Sequence, residues 1–211
     1  TDQSWIHGET EVIMKVKKTE SVQINEILEY LGIILTDDGL TLDYAESPEL
    51  NGLEVVKQGD RIVIIYSQLS YLFRAIGIAK ENMDKGDFQI KETSRFSLNG
   101  MMVDCSRNAV ISIETLKDVI KQMALMGHNT IMLYTEDTYE IEGEPYFGYM
   151  RGRYTIEELT FLDNYAAGFG VTLIPCIQTL AHLNAAVNWN VYKSLTDIDD
   201  ILLIDDEKTY E

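Results

Sequence analysis

Two adjacent carboxylates, Glu136 and Asp137, are the residues of this chain best placed to do chemistry. They follow the apolar run Met132-Leu-Tyr134. A second such run, Gly100-Met-Met-Val103, ends in Asp104, with Arg107 three residues on. An apolar run that breaks abruptly into charged residues reads as a buried parallel strand whose carboxyl end opens onto a polar site. Paired carboxylates in a cleft shift each other's pKa values and divide acid and base roles. Position alone does not separate such a pair from loop acids that cap a helix or stand in solvent. His182 falls five residues past a third apolar run, 171–177, on the same face. A lone histidine there is a proton carrier or a hydrogen-bonded structural residue. His128 precedes a strand and belongs to the opposite, stability face, and His7 sits in the first few residues. Arg107 pairs with Asp104 or holds a ligand hydroxyl.

Aromatic residues crowd the same region: Tyr134, Tyr139, Tyr146, Phe147, Tyr149 and Tyr154, beside Arg151 and Arg153. Sugar rings present apolar C–H faces to aromatic rings while their hydroxyls need a few placed polar groups, the usual make-up of a ligand pocket. Any one of these rings is equally well a packing residue of a long loop. Their concentration in one loop points to a binding surface. No His-Glu-x-x-His or Cys-x-x-Cys spacing occurs, so neither a zinc site nor any other metal or cofactor is expected.

The elements that must position these groups fall into two blocks. In the first, to about Asp87, residues 11–16 and Arg61–Tyr66 read as strands from their β-branched content. Helical stripes occur over 22–31, at 24, 27, 28 and 31, and over 69–79, at 69, 72, 73 and 76. Turn signals at Asp37-Asp38-Gly39 and Gln58-Gly59-Asp60 separate the pieces. An antiparallel sheet with helices on one face, an α+β domain over 1–87, is the expected arrangement. The polar stretch 82–87 marks the boundary, and 88–98 is expected to be a linker.

The second block, 99–211, alternates strand and helix in an α/β pattern. A strand over 101–103 precedes Ser112 as helix N-cap, Ile113, Leu116, Ile120 and Met123 on one face, and Gly127 as the stop. A strand over 130–133 comes next. Thr155-Ile-Glu-Glu158 is a capping box for a helix through Leu159, Leu162, Ala166 and Phe169, closed near Gly170. The third strand, 171–177, leads to His182, and Asp205-Asp206 resembles one more helix start. Three βα units without a glycine-rich phosphate loop favour a (β/α)8 barrel over a doubly wound sheet. Eight units need about 250 residues, so the chain is expected to be the first part of a barrel within a longer protein. Self-association across the incomplete barrel edge is one way to cover the open strands.

Composition sets the outer bounds. The 211 residues, 45% of them apolar, suffice for a real core, and a formal charge of −18 argues against nucleic acid and anionic membranes as partners. Cys105 and Cys176 both sit in apolar strands and are expected to be small buried thiols. No apolar stretch reaches the length of a membrane span and no signal peptide precedes Thr1, so a cytoplasmic location is expected.

At these residues the chain resembles the family 20 glycoside hydrolases, the β-N-acetylhexosaminidases, and most of all the bacterial exo-β-N-acetylglucosaminidase branch. The matching words are Gly100-Met-Met-Val-Asp-Cys-Ser-Arg-Asn-Ala109, Leu133-Tyr-Thr-Glu-Asp-Thr-Tyr-Glu140, Pro145-Tyr-Phe-Gly-Tyr149, Arg151-Gly-Arg-Tyr-Thr155 and Ile174-Pro-Cys-Ile-Gln-Thr-Leu-Ala-His-Leu183. Leu72-Phe-Arg-Ala-Ile-Gly77 is similar to the end of the α+β domain that precedes the barrel in this family. The resemblance implies a retaining hydrolase acting on N-acetylhexosamine-terminated glycans. In that chemistry the substrate's own acetamido oxygen is the nucleophile, outside the usual two-carboxylate scheme. It also implies an Asp-Glu pair after a fourth strand, beyond residue 211. Asp137 and His182 match a family Asp and His that relay protons towards that acid. Many members carry Arg where this chain has Asn99. Either the grip on sugar hydroxyls differs in this branch or Arg107, Arg151 or Arg153 takes it over, with Glu136, Tyr134 and Asn99 as further substrate-binding positions. The competing expectation is a non-catalytic carbohydrate-binding or regulatory module.

Overall fold

A computed structural model describes residues 14–107 and 109–210, in two compact units. In the first unit, β1 (Lys15–Val16) and β2 (Ile34–Leu35) form a small parallel pair joined through α1 (Val22–Tyr30). Four strands make the main sheet: β3 (Thr41–Glu46), β4 (Gly52–Gln58), β5 (Arg61–Tyr66) and β6 (Phe88–Thr93), ordered β3-β5-β4-β6. Residues 11–13 of the first expected strand, and His7, lie outside the described residues.

The sheet is mixed rather than antiparallel. β5 lies between β3 and β4, runs antiparallel to β4 across the Gly59-Asp60 turn, and pairs parallel with β3. The expected linker over 88–98 also changes: Phe88–Thr93 pairs along β4 from Gly52↔Thr93 to Lys57↔Phe88, and the unit runs on to Arg95. Its half-buried and exposed residues alternate, as they do in an edge strand with one face in solvent. Leu53 and Val55 of β4 and Ile62 and Ile64 of β5 are buried, as are Leu72, Phe73 and Ile76 of α2 (Leu69–Glu81). Period-2 burial on the strands and the helical stripe on α2 form this core.

The second unit is a three-stranded parallel sheet, β7 (Gly100–Asp104), β8 (Thr130–Tyr134) and β9 (Thr172–Cys176), in that order. Its register runs from Gly100↔Thr130↔Thr172 to Asp104↔Tyr134↔Cys176, so three carboxyl ends finish level. α3 (Ile113–Leu125) and α4 (Ile156–Gly168) make the crossovers. Ser112 caps α3, its hydroxyl accepting the Thr115 N–H at 3.3 Å. Gly127 (φ +77°) ends the helix, with His128 N–H returning to the Met123 carbonyl at 2.9 Å. Ile131 and Leu133 of β8 are buried, together with Leu116, Ile120 and Met123 of α3 and Leu162, Ala166 and Phe169 at α4. Cys105 is a buried free thiol, while Cys176 is only half-buried.

The capping box is complete at α4. The Thr155 hydroxyl accepts Glu158 N–H at 3.1 Å, and the Glu158 carboxylate accepts Thr155 N–H at 2.9 Å. Thr155→Ala is expected to cost about 1 kcal/mol, measured as the shift in denaturation midpoint. An unchanged midpoint would remove the box from the account.

After β9 the described residues form only α5 (Asn184–Val187) and 3₁₀ turns over Asn190–Leu195 and Glu207–Thr209. Asp206 caps the last of these, so the expected final helix is one turn. Among the described residues β7 and β9 are each paired on one side only, and Met102 on β7 is 60% exposed.

Candidate functional site

The level ends of β7, β8 and β9 place three loops around one cleft of about 550 Å³. Ser106 and Arg107 come from the first loop, Glu136, Met150 and Arg151 from the second, and Asn184 and Asn188 from the third. Asp104 shapes the first loop: its Oδ1 accepts both the N–H and the hydroxyl of Ser106 at 2.8 Å, the turn that a short Asp or Asn side chain favours.

That turn aims Arg107 at Glu136. Arg107 Nη1 donates to Glu136 Oε1 at 2.8 Å and to the Ser106 hydroxyl at 2.6 Å, and it stands only 3.7 Å from Asp104. The guanidinium also lies 5.4 Å above the Tyr134 ring, whose hydroxyl donates to the same Glu136 oxygen at 3.3 Å. Glu136 takes a left-handed backbone (φ +50°), and its N–H is held by Gln178 Oε1 at 2.9 Å. Strained non-glycine backbone of this kind persists where its surroundings fix it. The outcome is a charge pair in the cleft wall, with the Arg107 side chain 58% exposed and its donors partly unspent.

Asp137 goes the other way. It is 1% exposed, and neither carboxylate oxygen accepts a hydrogen bond among the described residues. Its charge partner is Arg151, Nη1 to Oδ1 at 3.2 Å, and Arg151 also donates to the Ser106 carbonyl. Burial pushes the Asp137 carboxyl above the ordinary aspartate range; Arg151 pulls it back and Glu136 pushes it up. A buried acid without hydrogen bonds costs stability, and such groups concentrate at functional sites.

Several expectations change here. His182 is not joined to Asp137 by a hydrogen bond or ion pair among the described residues. Its backbone is left-handed (φ +62°), its side chain is 71% exposed, and its Nδ1 lies 3.9 Å from Asp200. Arg153 does not line the cleft: Nη1 donates to the Phe147 carbonyl at 2.5 Å and Nη2 meets Glu140 at 3.8 Å, so it staples its own loop. Asn99 sits at the amino end of β7, its N–H donating to Asn129 Oδ1 at 2.9 Å and its carbonyl accepting the Asn129 N–H at 2.8 Å. The length of that strand separates it from the cleft. Tyr154 is buried and donates to the Ile111 carbonyl at 2.7 Å, a packing residue. Tyr134, Glu136, Arg107 and Arg151 do meet. Sequence reasoning missed Ser106, Gln178, Asn184 and Asn188. Gln178 was findable as a polar residue just past the third strand, and Asn184 with Asn188 by their i, i+4 spacing, which places the Asn188 amide 2.9 Å from Asn184 Oδ1.

The model of glycosyl hydrolase family 20, catalytic domain, matches residues 96–202. A β-hexosaminidase of Vibrio furnissii is 31% identical over 123 residues, 46% of this chain and 20% of that protein. Among solved structures, the GH20 exo-β-N-acetylglucosaminidase of Vibrio harveyi, in complex with N-acetylglucosamine, is similar at a TM-score of 0.71 and 19% identity. That likeness covers 95% of this chain and 40% of the other. The GH20 β-N-acetylhexosaminidase of Streptomyces coelicolor is similar at 0.71 and 21% identity, over 94% of this chain and 50% of that one. The chain thus spans a fifth of the curated relative and half or less of these two solved proteins.

Proposed function

This chain belongs to glycosyl hydrolase family 20, and on that premise we propose that the cleft above β7–β9 is part of a site that removes terminal non-reducing N-acetyl-β-D-hexosamine, N-acetylglucosamine foremost. The whole protein does so with retention, the substrate's acetamido oxygen attacking the anomeric carbon. Arg107 and Glu136 carry the sugar contacts: a fixed cation with spare N–H groups and a fixed carboxylate suit the alternating acceptors and donors of sugar hydroxyls. Arg151 holds the Ser106 turn against Asp137 and so fixes the cleft wall.

Asp137 and His182 are positioning residues for the general acid, which this reading assigns to the part of the protein beyond residue 211. Asp206-Glu207 is not that acid, because it opens a 3₁₀ turn instead of following a strand. His182 turns from Asp200 towards Asp137 when the acid is in place, a movement favoured by its exposure and its long 3.9 Å pairing. Asp137, with unspent acceptor oxygens, then holds the imidazole tautomer that serves the acid.

One observation carries the reading: a family-20 match whose strand-end cleft unites an exposed Arg107, paired with a mostly covered Glu136, with a buried, unsatisfied Asp137. The test is hydrolysis of an aryl N-acetyl-β-glucosaminide by the whole protein. Turnover is expected from the whole protein and none from residues 1–211 alone. A folded whole protein that leaves the glycoside intact overturns the proposal.

A further inference from the structure

Glu136 and Asp137 are neighbours in sequence, yet one stands in the cleft wall and the other is buried. The backbone of Glu136 makes that division. Its φ of +50° lies inside the Thr135–Thr138 turn, where the Thr138 N–H returns to the Thr135 carbonyl at 2.9 Å. The two ends of this turn are anchored on its buried side. Thr138 is fully covered, and its hydroxyl lies 2.7 Å from the Thr135 carbonyl and 3.2 Å from that of Cys105. The Thr135 N–H donates to the Cys176 carbonyl at 3.3 Å. None of these contacts reaches the Glu136 peptide in the middle.

Gln178 holds that peptide. It stands two residues past β9, and its Oε1 accepts the Glu136 N–H at 2.9 Å, across 42 residues of chain. A left-handed residue other than glycine is strained and relaxes unless something outside the turn opposes it. With the N–H captured, Glu136 Oε1 stays on Arg107 Nη1 at 2.8 Å and on the Tyr134 hydroxyl at 3.3 Å. Gln178 itself is half-buried and does not line the cleft, so its effect on a bound sugar passes through Glu136.

Resting on the reading above, we infer that Gln178 is a positioning residue for substrate binding. Its amide oxygen pins the left-handed Glu136 and so presents the Arg107–Glu136 pair to the sugar while Asp137 stays inside. The effect falls on affinity and not on proton transfer, because Asp137 has its own hold in Arg151 at 3.2 Å.

The experiment measures steady-state hydrolysis of an aryl N-acetyl-β-glucosaminide by the whole enzyme and its Gln178 variants. Gln178→Met keeps the length and removes the acceptor. It is expected to raise KM about tenfold, the scale of one hydrogen bond left unmade, with kcat within about twofold of the parent. Gln178→Glu, whose carboxylate reaches the same N–H, is expected to keep KM within about threefold of the parent. Gln178→Asn, one methylene shorter, is expected to behave as Gln178→Met does. In a Glu136→Ala background, Gln178→Met is expected to change KM by less than about twofold, since the group it positions is gone.

A purely structural role would lower kcat and melting temperature together and would persist in the Glu136→Ala background. That pattern, or an unchanged KM in folded Gln178→Met, overturns the assignment and leaves the hydrolase reading standing. Should Gln178→Met fail to fold, Gln178→Asn is read in its place, and failure of both makes Gln178 structural and overturns it as well. A whole protein that leaves the glycoside intact overturns the hydrolase reading and this assignment together.

Discussion

Asp137→Asn in the whole enzyme is expected to lower kcat/KM for an aryl N-acetyl-β-glucosaminide by about 10²-fold, the scale of a lost proton-transfer partner. The same variant should melt at the parent's temperature or above. The two expectations together separate a functional acid from a structural one. Asp137 is 1% exposed, its side-chain oxygens accept no hydrogen bond among the described residues, and Arg151 is the cation set against its charge. Burial raises its carboxyl above the ordinary value, so the folded state binds the proton more tightly than the unfolded chain does. Stability from this group is therefore highest below the unfolded pKa and falls as pH rises through the raised folded value. The amide removes that slope, and denaturation followed across the acid range measures it. A steeper slope, or a marked loss of stability at neutral pH, would make Asp137 a structural anchor.

His182→Ala tests the partnership. If the two residues act as one relay, it should cost about the same factor, and the double variant should lose little more than either single one. Additive losses would separate their roles and remove the relay.

Gly148→Ala has the second largest expected effect, on stability. Gly148 has φ +66°, and an added Cβ would stand 2.1 Å from the Asp137 carbonyl oxygen and 2.7 Å from Arg153 Cδ. The Arg153 chain can yield, whereas the Asp137 backbone is held inside the Thr135–Thr138 turn that follows β8, closed at 2.9 Å. A left-handed L-residue costs about 1–2 kcal/mol, and the collision adds a term of similar size, for a total of about 3 kcal/mol. For a chain of this length that is a fall in Tm of roughly 6–12 °C. Activity should fall too, because the displaced carbonyl belongs to Asp137. A parental melting curve would show that this loop yields freely.

How far the sequence could be read follows from the range of each signal. Ser112 and Thr155 announced their helices, because capping is settled within four residues. The strands ending at Asp104 and Tyr134 were legible as apolar runs broken by charge. β6 was read as linker because an edge strand such as Phe-Gln-Ile-Lys-Glu-Thr buries only alternate residues, and only its pairing with β4 identifies it. The parallel β3–β5 pair was hidden for a similar reason, since strand order is a tertiary fact.

At the site, Glu136 and Asp137 were correctly set at a strand end, but their separation into a cleft acid and a buried acid depends on Arg151 returning from a distant part of the loop. Asn99 was a different case. Its place before the first residue of β7 already assigned it to the amino end, away from the cleft. Only the arginine that many family members carry at this position pointed to a role in sugar binding.

The most direct measurement is a crystal structure of the whole protein with N-acetylglucosamine bound. The account predicts the sugar in the cleft above β7–β9, its hydroxyls within hydrogen-bond reach of Arg107 and Glu136, and His182 turned towards Asp137. A sugar bound elsewhere, with Arg107 and Glu136 still closed on each other and touching nothing, would contradict it.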